Sequence, residues 1–235
     1  EFFKSHQSSS QPSSPVSFIA FKNNYNPQNL SAASCVNIDF ESGNLSGWTT
    51  SSGFHPIFNP LGCCPNIGGQ QTVVSGGIDA AGGFQRVAPG GNFSLLLGNN
   101  QTGGEADRIE QTFLVNSTNA NFTYRYAVVF EDPGHTTAQQ PSFQIEMLDS
   151  TGSQIPCTFY NVAAGANIQG FQNSATQNGV IFKPWTNVAV DLTNYIGQNV
   201  TIRFTTYDCA LGGHFGYAYI DGICAAFVKG GTDTV

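Results

Sequence analysis

Charge is what this chain has least of. Charged side chains make up 10% of its 235 residues, where globular domains carry about 25%. Solubility must therefore come from Asn, Gln, Ser, Thr and Gly, a kind of surface common outside cells. Eight Lys and Arg against 15 Asp and Glu leave a net charge of −7. So few cations exclude a basic patch able to neutralise several phosphates, and with it a nucleic-acid partner. The acidic balance suits divalent cations better. No apolar run of about 18 residues is present, which excludes a membrane-spanning helix. The chain also lacks a G-x-S-x-G elbow, an HExxH helix and a phosphate-cradling loop that leads into a helix. No internal repeat and no sustained helical periodicity are visible. These absences point to a protein that is not an enzyme.

What the chain does have is alternation. In "VNIDFE" the residues Val36, Ile38 and Phe40 share one face and Asn37, Asp39 and Glu41 the other, the period of a strand. "NFTYRYAVVF" aligns Phe122, Tyr124, Tyr126, Val128 and Phe130. "SFQIEML", "NVAVDL" and "VTIRFTTY" repeat the pattern, and "FSLLLG", "RIEQTFLV" and "GYAYIDGICAAFV" are further strands. Turn signals such as "DPGH", "DSTGS" and "YIGQN" separate them. Many short strands with Gly-rich connections predict an all-β antiparallel sandwich or barrel.

The expected organisation is a leader over 1–34, a body over 35–228 and a tail over 229–235. The leader is Ser/Pro-rich but contains the apolar run "VSFIAF" at 16–21. That candidate strand has no local partner. It can pair with the body's own edge or add to the edge of a second copy. Sequons for glycosylation occur at Asn29, Asn44, Asn92, Asn100, Asn116, Asn121 and Asn199.

Six cysteines, an even number with no CxxC pair, read as disulfides in an oxidising compartment. Fifteen pairings are formally possible. The expected ones are Cys35 with Cys224, at the two ends of the body, and Cys157 with Cys209. The adjacent Cys63 and Cys64 need either a vicinal bond or separate partners.

"CVNIDFESGNLSGW" opens the body, "SLLLGN" and "ADRIEQTFLV" follow, and "GYAYIDGIC" closes it. Phe40, Glu41, Gly43 and Trp48 fit an FE-x-G…W opening, and Ile220, Asp221 and Ile223 an I-D-(D/N)-I closing strand. Together they resemble MAM-type and carbohydrate-binding jelly-roll domains. "FEDPGHTTAQQPSFQIEMLDSTGSQIPC" with "DCALGGHFGYAYIDGIC" is similar to modules of secreted surface adhesins of Bacteroidota. The resemblance implies a galactose-binding-like jelly roll. It also implies structural calcium held by the opening-strand Glu41 and the closing-strand Asp221, with Asp39 beside them. Gly222 stands where the family's second acid usually is.

Other candidate sites come from the residues themselves. "EDPGH" and "DCALGGH" each offer Asp then His. If the two loops meet, Asp132, His135, Asp208 and His214 can hold a transition ion. Alternatively Asp132 forms an Asx-type turn before Pro133. Trp48, Trp185, Tyr217 and Tyr219 are aromatics able to stack on sugars, although in this fold type both tryptophans match core positions. The sequence thus predicts an extracellular or cell-surface, non-catalytic adhesion or fibre-forming subunit. Its expected partners are itself or other surface proteins. The alternative is a lectin-like carbohydrate-binding module whose partners are glycans.

Overall fold

The computed structural model describes residues 35–55, 70–165 and 167–223. The strands are β1 (Thr49–Phe54), β2 (Gln71–Val74), β3 (Ser94–Leu97), β4 (Glu105–Leu114), β5 (Asn121–Glu131), β6 (Ser142–Leu148), β7 (Tyr160–Ala163), β8 (Gln172–Asn173), β9 (Val180–Asp191), β10 (Asn199–Tyr207) and β11 (Gly216–Ile223). They form two antiparallel sheets, β1-β4-β10-β6-β7 and β2-β3-β11-β5-β9-β8. Within these, β3-β11-β5-β9 and β4-β10-β6-β7 supply the eight strands of a double Greek key, so the sandwich is a jelly roll. β1, β2 and the short β8 extend its edges. No helix among the described residues is long and apolar enough to cross a membrane.

The alternation that marked the strands also builds the core. On β5 the residues Phe122, Tyr124, Tyr126, Val128 and Phe130 all face inward and are buried. Opposite them lie Phe143, Ile145 and Met147 of β6 and Ile202 and Phe204 of β10, each no more than 1% exposed. Burying a side chain of this size contributes about 1.5–3 kcal/mol. Trp48 stacks on Phe40 with ring centroids 5.2 Å apart, and its indole N–H donates to the Asn37 carbonyl at 2.9 Å.

Two expectations are corrected here. Residues 35–41 form turns, not a strand. Asn37 and Phe40 have φ of 50° and 59°, in the left-handed region that an extended strand does not visit. Asn37 tolerates that conformation and ties the turn together. Its side-chain amide donates to the carbonyls of Asn44 and Ser46 and accepts from the Ser42 N–H. The face shared by Val36, Ile38 and Phe40 is broken as a result: Val36 is 62% exposed while Phe40 is fully buried. The second correction concerns sulfur. Cys157 and Cys209 are free thiols, one exposed and one buried, so the expected bond between them is not formed. Cys157 sits in a turn beyond β6, whereas the Cys209 sulfur faces His135. Cys35 is disulfide-bonded. Cys63, Cys64 and Cys224 lie outside the described residues, as do the leader strand 16–21 and the tail 229–235.

Part of the six-stranded sheet is covered on its outer face as well, while Thr72 and the β9 residues Asn187, Ala189 and Asp191 stay exposed. Its outward positions, among them Ala127, Val129, Phe182, Tyr217 and Tyr219, form a second apolar cluster under the β2–β3 connection. That connection crosses the sheet. Phe84 packs edge-on against Tyr219 at 5.7 Å, and the indole of Trp185 donates to the Gln85 carbonyl at 2.7 Å. Asp79 pins it. One carboxylate oxygen accepts the backbone N–H groups of Ala81 and Gly82, and the other accepts the hydroxyls of Tyr217 and Tyr219, both at 2.9 Å. Asp79→Ala removes the acceptor of both phenols under the connection. It is expected to cost about 3 kcal/mol or more, read as a lower urea midpoint, and to make residues 75–93 the first site of limited proteolysis.

Candidate functional site

The five-stranded sheet turns its other face outward, and that face is polar. Register dictates its pattern. Arg203 on β10 lies opposite Glu110 of β4 on one side and Glu146 of β6 on the other. Its guanidinium bridges both, at 2.7 and 3.3 Å. One rung along, Thr205 lies between Arg108 and Gln144, with Ser51 of β1 and Asn161 of β7 continuing the row. Arg108 donates through Nε to the Thr205 hydroxyl at 3.0 Å. At the next rung Tyr207 sits between Ala106 and Ser142, under the ring of His55 at 5.2 Å. Burial and the neighbouring Arg203 lower the pKa of Arg108. This face carries donors and acceptors in alternation, on half-buried side chains held by their cross-strand neighbours.

The aromatics chosen from sequence as sugar platforms lie elsewhere. Trp48 is in the core, while Tyr217 and Tyr219 are buried under the β2–β3 connection with Trp185 packed beside them. Sequence reasoning missed the β10 rungs because "VTIRFTTY" shows its polar residues only as the outward half of an alternation. Nothing in that stretch says which partners flank them.

The acids named for calcium do approach one another. Glu41 accepts the backbone N–H groups of Asn92 and Phe93 through Oε1 and the Asn92 side chain through Oε2. A side-chain carbon built on Gly91 would stand 2.8 Å from Glu41 Oε1, 3.4 Å from Asp221 Oδ2 and 3.4 Å from the Phe93 carbonyl. Three oxygens thus converge where glycine leaves room. Burial holds the Asp221 carboxyl well above the usual carboxylate range, Arg125 opposes the shift, and Asp39 and Glu41 add to it. Asp39 itself accepts the Glu41 N–H at 3.3 Å. Although residues 35–41 are not a strand, they still meet β11, since a side chain at Gly222 would collide with the Ile38 carbonyl.

The two Asp-then-His loops also meet, but not as the motif suggested. His135 and His214 come together with ring centroids 5.2 Å apart. Asp132 instead closes an Asx turn, accepting the Gly134 N–H at 3.0 Å and the Gln140 side chain at 2.8 Å. Asp208 is buried and accepts the Gly216 N–H at 2.8 Å. The third side chain beside the histidines is Cys209, which even cysteine counting had assigned to a disulfide. Among the described residues, His135, Cys209 and His214 are the group whose metal-ligating atoms all lie within 4.8 Å of one another.

No protein-family model matches this chain, and no curated protein matches it. Solved structures do. TmCBM61, solved in complex with β-1,4-galactotriose, is 12% identical over 80% of this chain and 95% of its own, with a TM-score of 0.40. CBM27-1 of Caldicellulosiruptor saccharolyticus, in complex with mannohexaose, is 11% identical over 79% of this chain and 92% of its own, with a TM-score of 0.42. The enzymatically active domain of bacteriophage CBA120 tailspike protein 4 is 17% identical over 80% of this chain and 21% of its own, at 0.37. Several of the matching structures are named as carbohydrate-binding modules.

One buried acid on the sandwich sets a pH dependence. Asp107 accepts the Ser52 hydroxyl at 2.7 Å and the Gln71 amide at 3.1 Å, joining the edges of the two sheets. Burial raises its pKa from 3.8 to about 7, against the Ser52 hydrogen bond and with help from Glu105. The folded chain therefore holds a proton that the unfolded chain has released. The share of stability carried by Asp107 falls as pH rises from about 4 to about 7, a span on the order of 4 kcal/mol, and Asp208, raised by burial to about 9, extends the decline above pH 7. Asp107→Asn is expected to make the slope between pH 4 and 7 shallower, leaving the part due to Asp208 and Asp221, in urea unfolding measured across that range.

Proposed function

We propose that this chain is a non-catalytic, secreted carbohydrate-binding module that seats a glycan across the outer face of its five-stranded sheet. The observation that carries the reading is the set of rungs on that face: Glu110, Arg203 and Glu146, then Arg108, Thr205 and Gln144. Sugar hydroxyls both donate and accept, and a lattice of carboxylates, guanidinium groups and an amide can meet them in pairs. Five strands spaced about 4.8 Å apart give a face about 19 Å across, room for an oligosaccharide. On the opposite sheet the sequence-chosen aromatics Tyr217 and Tyr219 are buried beneath the β2–β3 connection. The fibre-forming reading gains nothing from the described residues.

The test is retention on a panel of insoluble and soluble polysaccharides, followed by calorimetry on whichever is held. Arg108→Ala and Gln144→Ala should each weaken binding about tenfold or more, or ~1.4 kcal/mol, while the melting temperature stays close to that of the parent. Trp185→Ala should leave affinity intact. Loss in the Trp185 variant with no effect of the other two would move the ligand off this face. No retention of any glycan would end the proposal.

Glu41 and Asp221 would hold a structural calcium ion between the opening turn and β11. The Phe93 carbonyl would add a third oxygen source, and water would fill the remaining positions of the six to eight oxygens calcium takes. When bound, the ion would neutralise a buried carboxylate and tie the β2–β3 connection to the closing strand. EGTA should then lower the melting temperature by about 5–10 °C if calcium stands at some 100 times its dissociation constant. Glu41→Gln should melt at the same temperature with or without EGTA. An unchanged melt of the parent chain in EGTA would rule the ion out.

A further inference from the structure

We propose that His135, Cys209 and His214 form a binding site for a borderline-soft transition ion of the zinc and copper class, at the end of the sandwich beyond β10. The site is built from two loops. His135 lies on the connection from β5 to β6, and Cys209 and His214 on the connection from β10 to β11. The second loop is closed on itself: the Cys209 N–H donates to the His214 carbonyl at 2.9 Å and the Gly212 N–H to the Cys209 carbonyl at 2.8 Å. It is also pinned to the first loop, because the Ala210 N–H donates to the Gln139 carbonyl at 3.0 Å.

The donor atoms are then held in place. His135 Nδ1 lies 3.3 Å from Cys209 Sγ. Ligand atoms bonded to one tetrahedral zinc ion, at about 2.0–2.1 Å for nitrogen and about 2.3 Å for sulfur, stand roughly 3.5 Å apart. Nδ1 of His214 is buried and has no hydrogen-bond partner, a cost that a metal bond would remove. The Leu211 N–H points at Cys209 Sγ from 3.4 Å, the kind of donor that steadies a thiolate.

Two imidazoles and a thiolate do not suit calcium or magnesium, which take oxygen. They suit zinc or copper, and three protein ligands leave a fourth position for water or an outside group. Cys209 is fully buried, but both histidines are partly exposed, which gives an ion its way in. Binding replaces the thiol proton, which passes to solvent. The ion would clip together the loops that follow β5 and β10.

The experiment is a titration of the full chain, kept free of thiol oxidation and with its Cys35 disulfide intact, with Co²⁺ as a spectroscopic stand-in, then competition with Zn²⁺ and, separately, Cu²⁺. A cobalt–thiolate charge-transfer band should grow to about one equivalent per chain and bleach as zinc displaces cobalt. It should vanish in Cys209→Ser and survive in Cys157→Ser, which removes the other free thiol among the described residues. His135→Gln and His214→Gln should each weaken affinity about tenfold or more. Displacement by copper but not by zinc assigns the same ligands to copper. If Cys209→Ser fails to fold, the two histidine variants decide. No thiolate band in the parent chain, a band that persists in Cys209→Ser or is lost in Cys157→Ser, or unchanged affinity in both histidine variants overturns the site.

Discussion

The constraint behind this structure is that one of its two sheets is packed on its outer face as well as its inner one along much of β11, β5 and the first half of β9. A jelly roll normally hides one face of each sheet and shows the other to water. Here the β2–β3 connection lies over the outer face of the six-stranded sheet, held by one carboxylate that takes two tyrosine hydroxyls and two backbone N–H groups. Burial pushes both phenols upward, and the Asp79 charge adds to that. The tyrosines therefore stay protonated donors across the physiological range. The five-stranded side carries no such cover. There, scarce charges are concentrated where register sets a guanidinium between two carboxylates.

The same economy explains the polar interior. With charged side chains at 10% of the chain, a disproportionate share of the acids is buried and structural. Asp79 closes a loop, Asp107 joins two sheet edges, Asp208 caps the start of β11, and Asp221 faces Glu41 across a glycine gap. Burial raises the pKa of Asp107, of Asp208 to about 9, and of Asp221. Such groups stabilise the fold as hydrogen-bonding scaffolds and not as surface ion pairs, whose worth is small.

The fold was largely legible in the sequence because a buried strand face writes itself as period two. β5, β6 and β10 were readable residue by residue on that basis. β1, "TTSSGF", carries no apolar face to read and went unseen. The opening "VNIDFE" alternates as a strand does, yet it turns: the amide of Asn37 satisfies local carbonyls and allows a left-handed backbone, a choice that alternation cannot report. The candidate sites were legible only in part. Glu41 and Asp221 were found through motif resemblance. The His135–His214 meeting was anticipated as a conditional, while Cys209 was hidden by the habit of pairing sulfurs by count. The polar rungs of β10 depend on which strands flank it, and that is a property of topology.

The loop over the six-stranded sheet has a consequence for how the chain can diversify. Outward positions beneath it on β11, β5 and β9 act as interior positions, so a change at Tyr217 or Phe182 is a change in packing. On the five-stranded sheet Thr205 and Tyr207 are buried on the outward side as well. Arg108, Gln144, Glu146 and Arg203 are only half-buried there, so they can be exchanged as a set without opening the core. Packing duty and room for variation thus fall on different sheets of one molecule. A library randomised at those four positions would start from a stable fold.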